Sequence, residues 1–215
     1  MHQRTRIKIC GLTQEADIDA AVDAGADAVG LVFYRRSPRH VTLERAVALA
    51  RRLPPFVTPV GLFVNAAPAE VAEACAAVPQ LVLQFHGDET PEACEAAGRP
   101  YLRAARMATG FDLLHFAAQY TSAQALLLDA HVEGYGGGGK AFDWSLIPPS
   151  VPRPVVLSGG LTPANVTGGV IQVRPWAVDV SSGVERAKGI KDADAIRRFC
   201  EAVREADARI AAAGT

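Results

Sequence analysis

Cysteine is scarce in this 215-residue chain, and the four copies are widely separated, at positions 10, 75, 94 and 200. No Cys-x-x-Cys pair occurs, and no cysteines and histidines have the spacing of a structural zinc site. The cysteines at 75, 94 and 200 fall in alanine-rich segments with helical character, where a buried thiol acts as a small hydrophobic residue. The sequence therefore predicts free thiols, no metal site and a reducing, cytoplasmic environment.

The chain also lacks a long hydrophobic run and an excess of one charge. No apolar segment approaches the length of about 18 residues that a membrane-spanning helix needs, and no signal-peptide core precedes the first predicted strand. The net charge of −1 gives no electrostatic reason to expect binding to nucleic acid or to an anionic membrane. An anionic small-molecule substrate must therefore be held by local hydrogen-bond donors. The sequence does not distinguish a monomer from a homodimer.

Eight short apolar runs are each followed by a segment with helical spacing, at intervals of roughly 20–30 residues. This repeat predicts one α/β domain over residues 1–215, with eight parallel strands closed into a (β/α)₈ TIM barrel. An open, doubly wound sheet fits the same alternation, but the even spacing and the lack of GxGxxG after the first strand favour the barrel. The helical signal is weakest after the sixth strand, where the candidate is short, at 144–147. The predicted strands begin near Arg6, Ala28, Val57, Leu81, Tyr101, Ala125, Pro154 and Trp176.

The first predicted strand ends in Lys8-Ile9-Cys10. Side chains alternate across a strand, so Lys8 and Cys10 point the same way. If the isoleucines face the helices, Cys10 points into the mouth of the barrel, where a nearby cation favours the thiolate that acts as a base or nucleophile. The alternative is a small residue that fills the barrel. We also expect Lys8 to form an ion pair with Asp179, because a lysine inside the barrel needs a partner.

The sixth predicted strand ends in three leucines followed by Asp129. This aspartate either caps the following loop or is a carboxyl group of the site. A carboxyl and a thiol on opposite sides of a barrel mouth form a plausible acid–base pair. Many other reactions would use the same two groups, so position alone does not define the chemistry.

The ends of the seventh and eighth strands carry turns of small residues, Ser-Gly-Gly at 158–160 and Ser-Ser-Gly at 181–183. Backbone N–H groups in such turns, with the start of a short helix, bind anions without an arginine. Barrel enzymes commonly hold a phosphate group between these two loops. The pattern favours a phosphate site, and ordinary tight turns are the alternative.

Other polar residues follow the second and fourth strands. An arginine in a fixed position can bind a carboxylate through two parallel hydrogen bonds, but position does not choose among Arg35, Arg36 and Arg39. Gln84 and His86 alternate along the fourth strand, so both are expected to line the mouth. His86 is either a substrate contact or a hydrogen-bonded scaffold residue.

The glycine-rich segment 134–140 matches the GxxxxGK part of a nucleotide-binding loop. Ala141 follows it and cannot bind magnesium, and the next residues do not begin a clear helix. A loop that closes over the site and excludes water is the better functional interpretation. Plain flexibility is the alternative.

Taken together, these segments resemble the phosphoribosylanthranilate isomerase family of L-tryptophan biosynthesis, over nearly the whole chain. The set is highly specific, although other phosphate-binding barrels share turns of the SGG and SSG kind. The matching segments are KICGLT at 8–13, GADAVGLVFY at 25–34, SPRHV at 37–41, VGLFVN at 60–65, LQFHGDE at 83–89, LLLD at 126–129, YGGGGKAFDW at 135–144, LSGGLTPANV at 157–166 and VDVSSGVE at 178–185.

The resemblance implies an aldose–ketose isomerase that catalyses the Amadori rearrangement of N-(5′-phosphoribosyl)anthranilate to an aminodeoxyribulose phosphate. It implies that Asp129 is the general acid and Cys10 the general base. It further implies that Arg39 holds the anthranilate carboxylate and that Asp179 lies near the ribose hydroxyls. The phosphate-binding residues that it implies are Gly160, Ser182 and Gly183. Protons move within the substrate, so no cofactor is expected.

Two segments depart from the family pattern: RRSPR at 35–39 is more basic, and 187–190 replaces a shorter turn. The alternatives are a different phosphosugar enzyme, or a barrel that binds a phosphorylated ligand without catalysis. An epimerase requires paired carboxylates or metal-binding histidines at the strand ends, and the indole-forming synthase requires a lysine with paired glutamates. Neither set is found. Intact Cys10 and Asp129 argue against a non-catalytic barrel.

Overall fold

The computed structural model describes residues 4–130 and 141–213. Eight parallel strands form a closed barrel in chain order, with the first strand paired to the eighth. The predicted (β/α)₈ barrel is therefore confirmed. The strands are β1 (Arg6–Cys10), β2 (Ala28–Val32), β3 (Thr58–Phe63), β4 (Val82–Phe85), β5 (Tyr101–Met107), β6 (Ala125–Ala130), β7 (Val155–Leu157) and β8 (Ala177–Val180).

Within residues 4–130 and 141–213, α-helices follow seven of the eight strands, and none of these helices is long and apolar enough to cross a membrane. Thr42 and Thr90 cap α2 and α4, because each side chain accepts a hydrogen bond from the backbone N–H three residues on. The helices are α1 (Glu15–Asp23), α2 (Leu43–Ala50), α3 (Pro68–Ala77), α4 (Pro91–Ala96), α5 (Leu113–Gln119), α6 (Val166–Val173) and α7 (Ala193–Ala213).

The sixth unit is the exception to this alternation. Between β6 and β7, the described residues contain a single 3₁₀ turn at Trp144–Leu146, which overlaps the short candidate at 144–147. The Asp143 side chain begins the turn by accepting from the Ser145 N–H. Two consecutive prolines, Pro148 and Pro149, follow it and cannot continue a helix.

A hairpin that the sequence analysis did not predict separates β8 from α7. A short 3₁₀ helix, Ser182–Val184, leads into β9 (Glu185–Ala187), which pairs antiparallel with β10 (Ile190–Lys191). The hairpin contains the segment 187–190 that departs from the family pattern. It therefore lies next to the turn that ends β8.

Alternation along β1 separates two environments, as predicted. Ile7 and Ile9 belong to the apolar core between the barrel and the helices. Lys8 lies inside the barrel, opposite Asp179 in the register of β1 and β8, and its Nζ donates to Asp179 Oδ1 at 2.7 Å. The predicted ion pair is thus confirmed, with both residues buried. Burial alone would lower the pKa of Lys8, but Asp179 and Cys10 outweigh it and raise the pKa to about 12.

The cysteines are free, as predicted. Cys94 and Cys200 are buried and Cys75 is half-buried. Burial raises the pKa of both Cys94 and Cys200 to about 11. These two thiols therefore have the inert, hydrophobic character that the sequence indicated.

We predict that Lys8→Met lowers the free energy of unfolding by about 3–5 kcal/mol, because the Asp179 carboxylate loses its cation inside the barrel. The double variant K8M/D179N should lose less than the sum of the two single variants. Urea denaturation followed by circular dichroism measures all three. The control is Arg35→Ala, which removes an exposed ion pair with Glu70 and should cost less than about 1 kcal/mol. Equal losses for K8M and R35A would contradict the prediction.

Candidate active site

A cavity opens at the carboxyl ends of the strands, and most of the predicted site residues line it. Cys10 and Gly183 do not: Cys10 is buried at the end of β1, and Gly183 packs against the turn after β7. The predicted residues that line the cavity are Arg39, Gln84, His86, Asp129, Gly160, Asp179 and Ser182.

One wall of the cavity is apolar, and its residues are not among those predicted from the sequence. Val32 ends β2, and Leu62 and Val64 come from β3 and the residue after it. Leu62 and Val64 are two positions apart, so alternation could have placed them on one face. Such a wall suits a flat aromatic ring, because it removes apolar area from water on binding.

A chain of three polar side chains runs from the barrel interior into the cavity. The side-chain amide nitrogen of Gln84 lies 3.0 Å from His86 Nδ1, and His86 Nε2 lies 3.1 Å from Asp129 Oδ2. The other carboxylate oxygen of Asp129 accepts from the backbone N–H of Ala130 at 2.9 Å. Both oxygens of Asp129 are therefore engaged, and its carboxyl group has a defined orientation.

This arrangement selects one tautomer of His86. When Asp129 is ionised it only accepts hydrogen bonds, so in that form of the site the imidazole donates through Nε2 and accepts through Nδ1 from the Gln84 amide. Gln84 is fully buried, and its Oε1 has no hydrogen-bond partner among residues 4–130 and 141–213. The Gln84–His86 contact is thus the hydrogen bond that orients the amide.

We predict that Gln84→Glu protonates His86 at Nδ1 as well as at Nε2, because a carboxylate at position 84 requires a donor at Nδ1 while Asp129 retains the donor at Nε2. Nitrogen-15 NMR of the imidazole ring measures the change: Nδ1 should shift from the acceptor type to the protonated type. The matched control is Gln119→Glu. The Gln119 side-chain nitrogen lies 3.3 Å from Nε2 of the exposed His115, and the substitution should change the protonation of that ring little, because water competes for the hydrogen bond. An unaltered Nδ1 signal in Q84E would refute the assigned tautomer.

Cys10 lies between two strands that line the cavity. It is paired with Gly30 of β2 on one side, and β8 on the other side contributes Asp179. Burial has the largest effect on the thiol and raises the pKa of Cys10 above its ordinary value, whereas Lys8 acts to lower it. The predicted nearby cation is confirmed, but in the free protein burial outweighs it and favours the thiol over the thiolate.

Arg39 is held by a carboxylate that the sequence analysis did not identify. Its Nε donates to Glu185 Oε1 at 2.7 Å, and its Nη2 donates to Oε2 at 2.8 Å. The two residues are 146 positions apart, and no local pattern indicates that they pair. Of the three arginines after β2, Arg39 is the one that lines the cavity, while Arg35 and Arg36 are exposed.

The turns after β7 and β8 are in direct contact. A Cβ atom on Gly183 would lie 1.9 Å from the carbonyl oxygen of Leu161, so the approach requires glycine. Asn165 braces the first turn, because its Oδ1 accepts from the Thr162 N–H and its Nδ2 donates to the Gly160 carbonyl. Gly160 therefore lies on one of two contacting turns, and Ser182 and Gly183 lie on the other. The segment 134–140 lies outside the described residues, so its closure over the site stays a prediction.

The chain forms a closed (β/α)₈ barrel, and its strand ends place a carboxyl group, an imidazole and two small-residue turns around one cavity. These features define the protein as a barrel enzyme. The sequence model of N-(5′phosphoribosyl)anthranilate (PRA) isomerase matches residues 7–202 of this chain. The chain therefore belongs to the N-(5′-phosphoribosyl)anthranilate isomerase family. It is an aldose–ketose isomerase of tryptophan biosynthesis, in agreement with the resemblance found in the sequence.

Individual relatives agree with the family assignment. The N-(5′-phosphoribosyl)anthranilate isomerase of Methylibium petroleiphilum is 78% identical to this chain, over 97% of this chain and 98% of its own length. The enzyme of the same name from Leptothrix cholodnii is also 78% identical, over 96% of this chain and 94% of its own length. The crystal structure of the Thermotoga maritima enzyme is 41% identical, with a TM-score of 0.87 over 94% of this chain and 99% of its own.

Two further structures bear on ligands and assembly. A phosphoribosyl anthranilate isomerase in complex with reduced 1-(o-carboxyphenylamino)-1-deoxyribulose 5-phosphate is 39% identical, with a TM-score of 0.84 over 94% of this chain and 99% of its own. Monomers generated from the dimeric Thermotoga maritima enzyme are 38% identical, with a TM-score of 0.82 over 93% and 98% of the two chains. Both monomeric and dimeric forms therefore occur among similar proteins.

Proposed function

We propose that Asp129 is the general acid and Cys10 the general base of the rearrangement. The observation that carries the proposal is an oriented, almost buried Asp129 carboxyl group in the cavity, held by His86 and the Ala130 N–H. Cys10 supports it, because its strand adjoins β8 of the cavity and Lys8 stabilises its thiolate form.

The proton transfers follow from these two positions. Asp129 in its acid form gives a proton to the furanose ring oxygen, and the bond from that oxygen to C1′ breaks, which leaves an open-chain Schiff base. The Cys10 thiolate then removes the proton from C2′, and the electron pair of that bond forms an enolamine. The enolamine tautomerises to the ketone. Each positioned acid or base typically contributes about 10²–10⁴-fold to the rate.

The two ends of the substrate fit two parts of the cavity. We assign the anthranilate carboxylate to Arg39 and the aromatic ring to the apolar wall of Val32, Leu62 and Val64. The phosphate group belongs at the contacting turns, with Gly160, Ser182 and Gly183 as its partners. Asp179, Gln84 and His86 line the space between.

Residues 1–215 act as a single domain in the cytoplasm, where the free cysteines remain reduced. The partner is the small phosphoribosyl substrate, without nucleic acid, membrane or cofactor. The competing function is a barrel that binds a phosphosugar without turnover, and kinetics separates the two.

We predict that Cys10→Ala and Asp129→Asn each lower kcat by about 10²–10⁴-fold, because each removes one proton-transfer group. The loss of phosphoribosylanthranilate fluorescence measures the rate. Both variants should still bind reduced 1-(o-carboxyphenylamino)-1-deoxyribulose 5-phosphate, since neither residue holds the carboxylate or phosphate end. Rapid turnover by either variant would remove its residue from the mechanism, and no turnover by the folded wild type would favour the non-catalytic barrel.

The raised pKa of Cys10 gives a pH dependence with a definite sign. The thiolate is the base, so kcat/KM of the wild type should rise with pH through the Cys10 titration, which lies above the ordinary cysteine value of 9.0. In Cys10→Asp, a carboxylate base ionises earlier, so the rise in residual activity should move to lower pH. An unchanged pH profile in this variant would show that another group causes the rise.

A further inference from the structure

The guanidinium group of Arg39 is fixed from one side. Glu185 engages Nε and Nη2 through two parallel hydrogen bonds, which leaves Nη1 outside the pair. The side chains are only 13% and 5% exposed, so water competes little for these bonds. Gly11 confines the stem of the arginine, because a Cβ atom at that position would lie 2.4 Å from Arg39 Cδ.

Glu185 is in turn bound to a second cation, Lys191. The Lys191 Nζ donates to Glu185 Oε1 at 2.9 Å, and the lysine side chain is completely buried. Burial alone would raise the pKa of Glu185, but Arg39 and Lys191 outweigh it and lower the pKa, so Glu185 stays ionised. Two cations, Arg39 and Lys191, therefore share the Glu185 carboxylate.

Lys191 also reaches the turn after β8. Its Nζ donates to the Ser181 carbonyl at 3.0 Å and lies 3.4 Å from Ser181 Oγ. Glu185 and Lys191 are paired residues of the hairpin that β9 and β10 form. One hairpin thus connects Arg39 of the cavity wall to the turn after β8, and the Arg39 stem and Ser181 Oγ both lie next to Gly11.

We propose that Glu185 and Lys191 are positioning residues that set the specificity of the site for a substrate with both a carboxylate and a phosphate. Glu185 engages Nε and Nη2 and so turns the Nη1 edge of Arg39 toward the carboxylate, and Lys191 holds the Ser181–Ser182 turn in place beside it. This inference rests on the proposed function, in which Arg39 holds that carboxylate.

Comparison of two ligands distinguishes a positioning role of Glu185 from a general loss of protein stability. One is reduced 1-(o-carboxyphenylamino)-1-deoxyribulose 5-phosphate, and the other is the same compound without the carboxylate, reduced 1-phenylamino-1-deoxyribulose 5-phosphate. Isothermal titration calorimetry gives both affinities. Glu185→Gln should weaken binding of the carboxylated ligand by about 10–100-fold, the range of a lost charge-assisted hydrogen bond, and change the other affinity less than about twofold. Equal weakening of both ligands would overturn the role of Glu185.

Lys191→Met tests the other half of the inference. It should weaken both ligands, because both carry the phosphate that the Ser181–Ser182 turn is expected to bind. Unchanged affinity for the ligand without a carboxylate would overturn the role of Lys191. The control for both variants is Glu15→Gln, which breaks a more exposed glutamate–arginine pair with Arg45 and should alter neither affinity.

Arg39→Met distinguishes failure of this inference from failure of the proposed function. If R39M keeps the preference for the carboxylated ligand, Arg39 does not hold the carboxylate, and both ideas fail. If R39M abolishes the preference and E185Q retains it, only the positioning role fails. Should E185Q not fold, Glu185→Asp keeps the charge, shortens its reach and provides the same comparison, with a reduced preference expected.

Discussion

The ion pair between Lys8 and Asp179 joins the first and last strands of the barrel, and much of the structure depends on it. The register of β1 and β8 places the two residues opposite each other, where both side chains are largely shielded from water. Each charge would be costly there without the other. The same pair adjoins Cys10 through Lys8 and Ser158 through Asp179. The same ion pair thus stabilises the closed barrel and contributes to the electrostatics of the site.

Alternation along individual strands is what the sequence predicted well. Leu126 and Leu128 pack outward and Leu127 fills the barrel, so Asp129 had to face the mouth. Contacts between distant segments were not predictable. The partner of Arg39 lies on a hairpin 146 residues away, and charged residues in a sequence do not reveal which of many opposite charges they meet. In the described residues between β6 and β7, the helical candidate is limited to one 3₁₀ turn, and the prolines at 148 and 149 are the local signal for its end.

The resting state of Cys10 reflects a balance between opposing effects. Burial disfavours the thiolate, while Lys8 and Lys191 favour it. A thiol that is both shielded and protonated reacts slowly with oxidants, since oxidation follows thiolate character and exposure. The arrangement therefore protects the group that we propose as the base, at the cost of a lower thiolate fraction in the free protein.

The contact between Gly183 and Leu161 has an evolutionary consequence. It joins the ends of β7 and β8 into one unit, whereas the proposed acid and base come from the adjacent strands β6 and β1. A descendant of this barrel could therefore exchange Asp129 or Cys10 for other reactive groups and inherit its phosphate anchor intact. New chemistry on this scaffold would need changes at two flanking strand ends, without rebuilding the part of the mouth that captures the substrate.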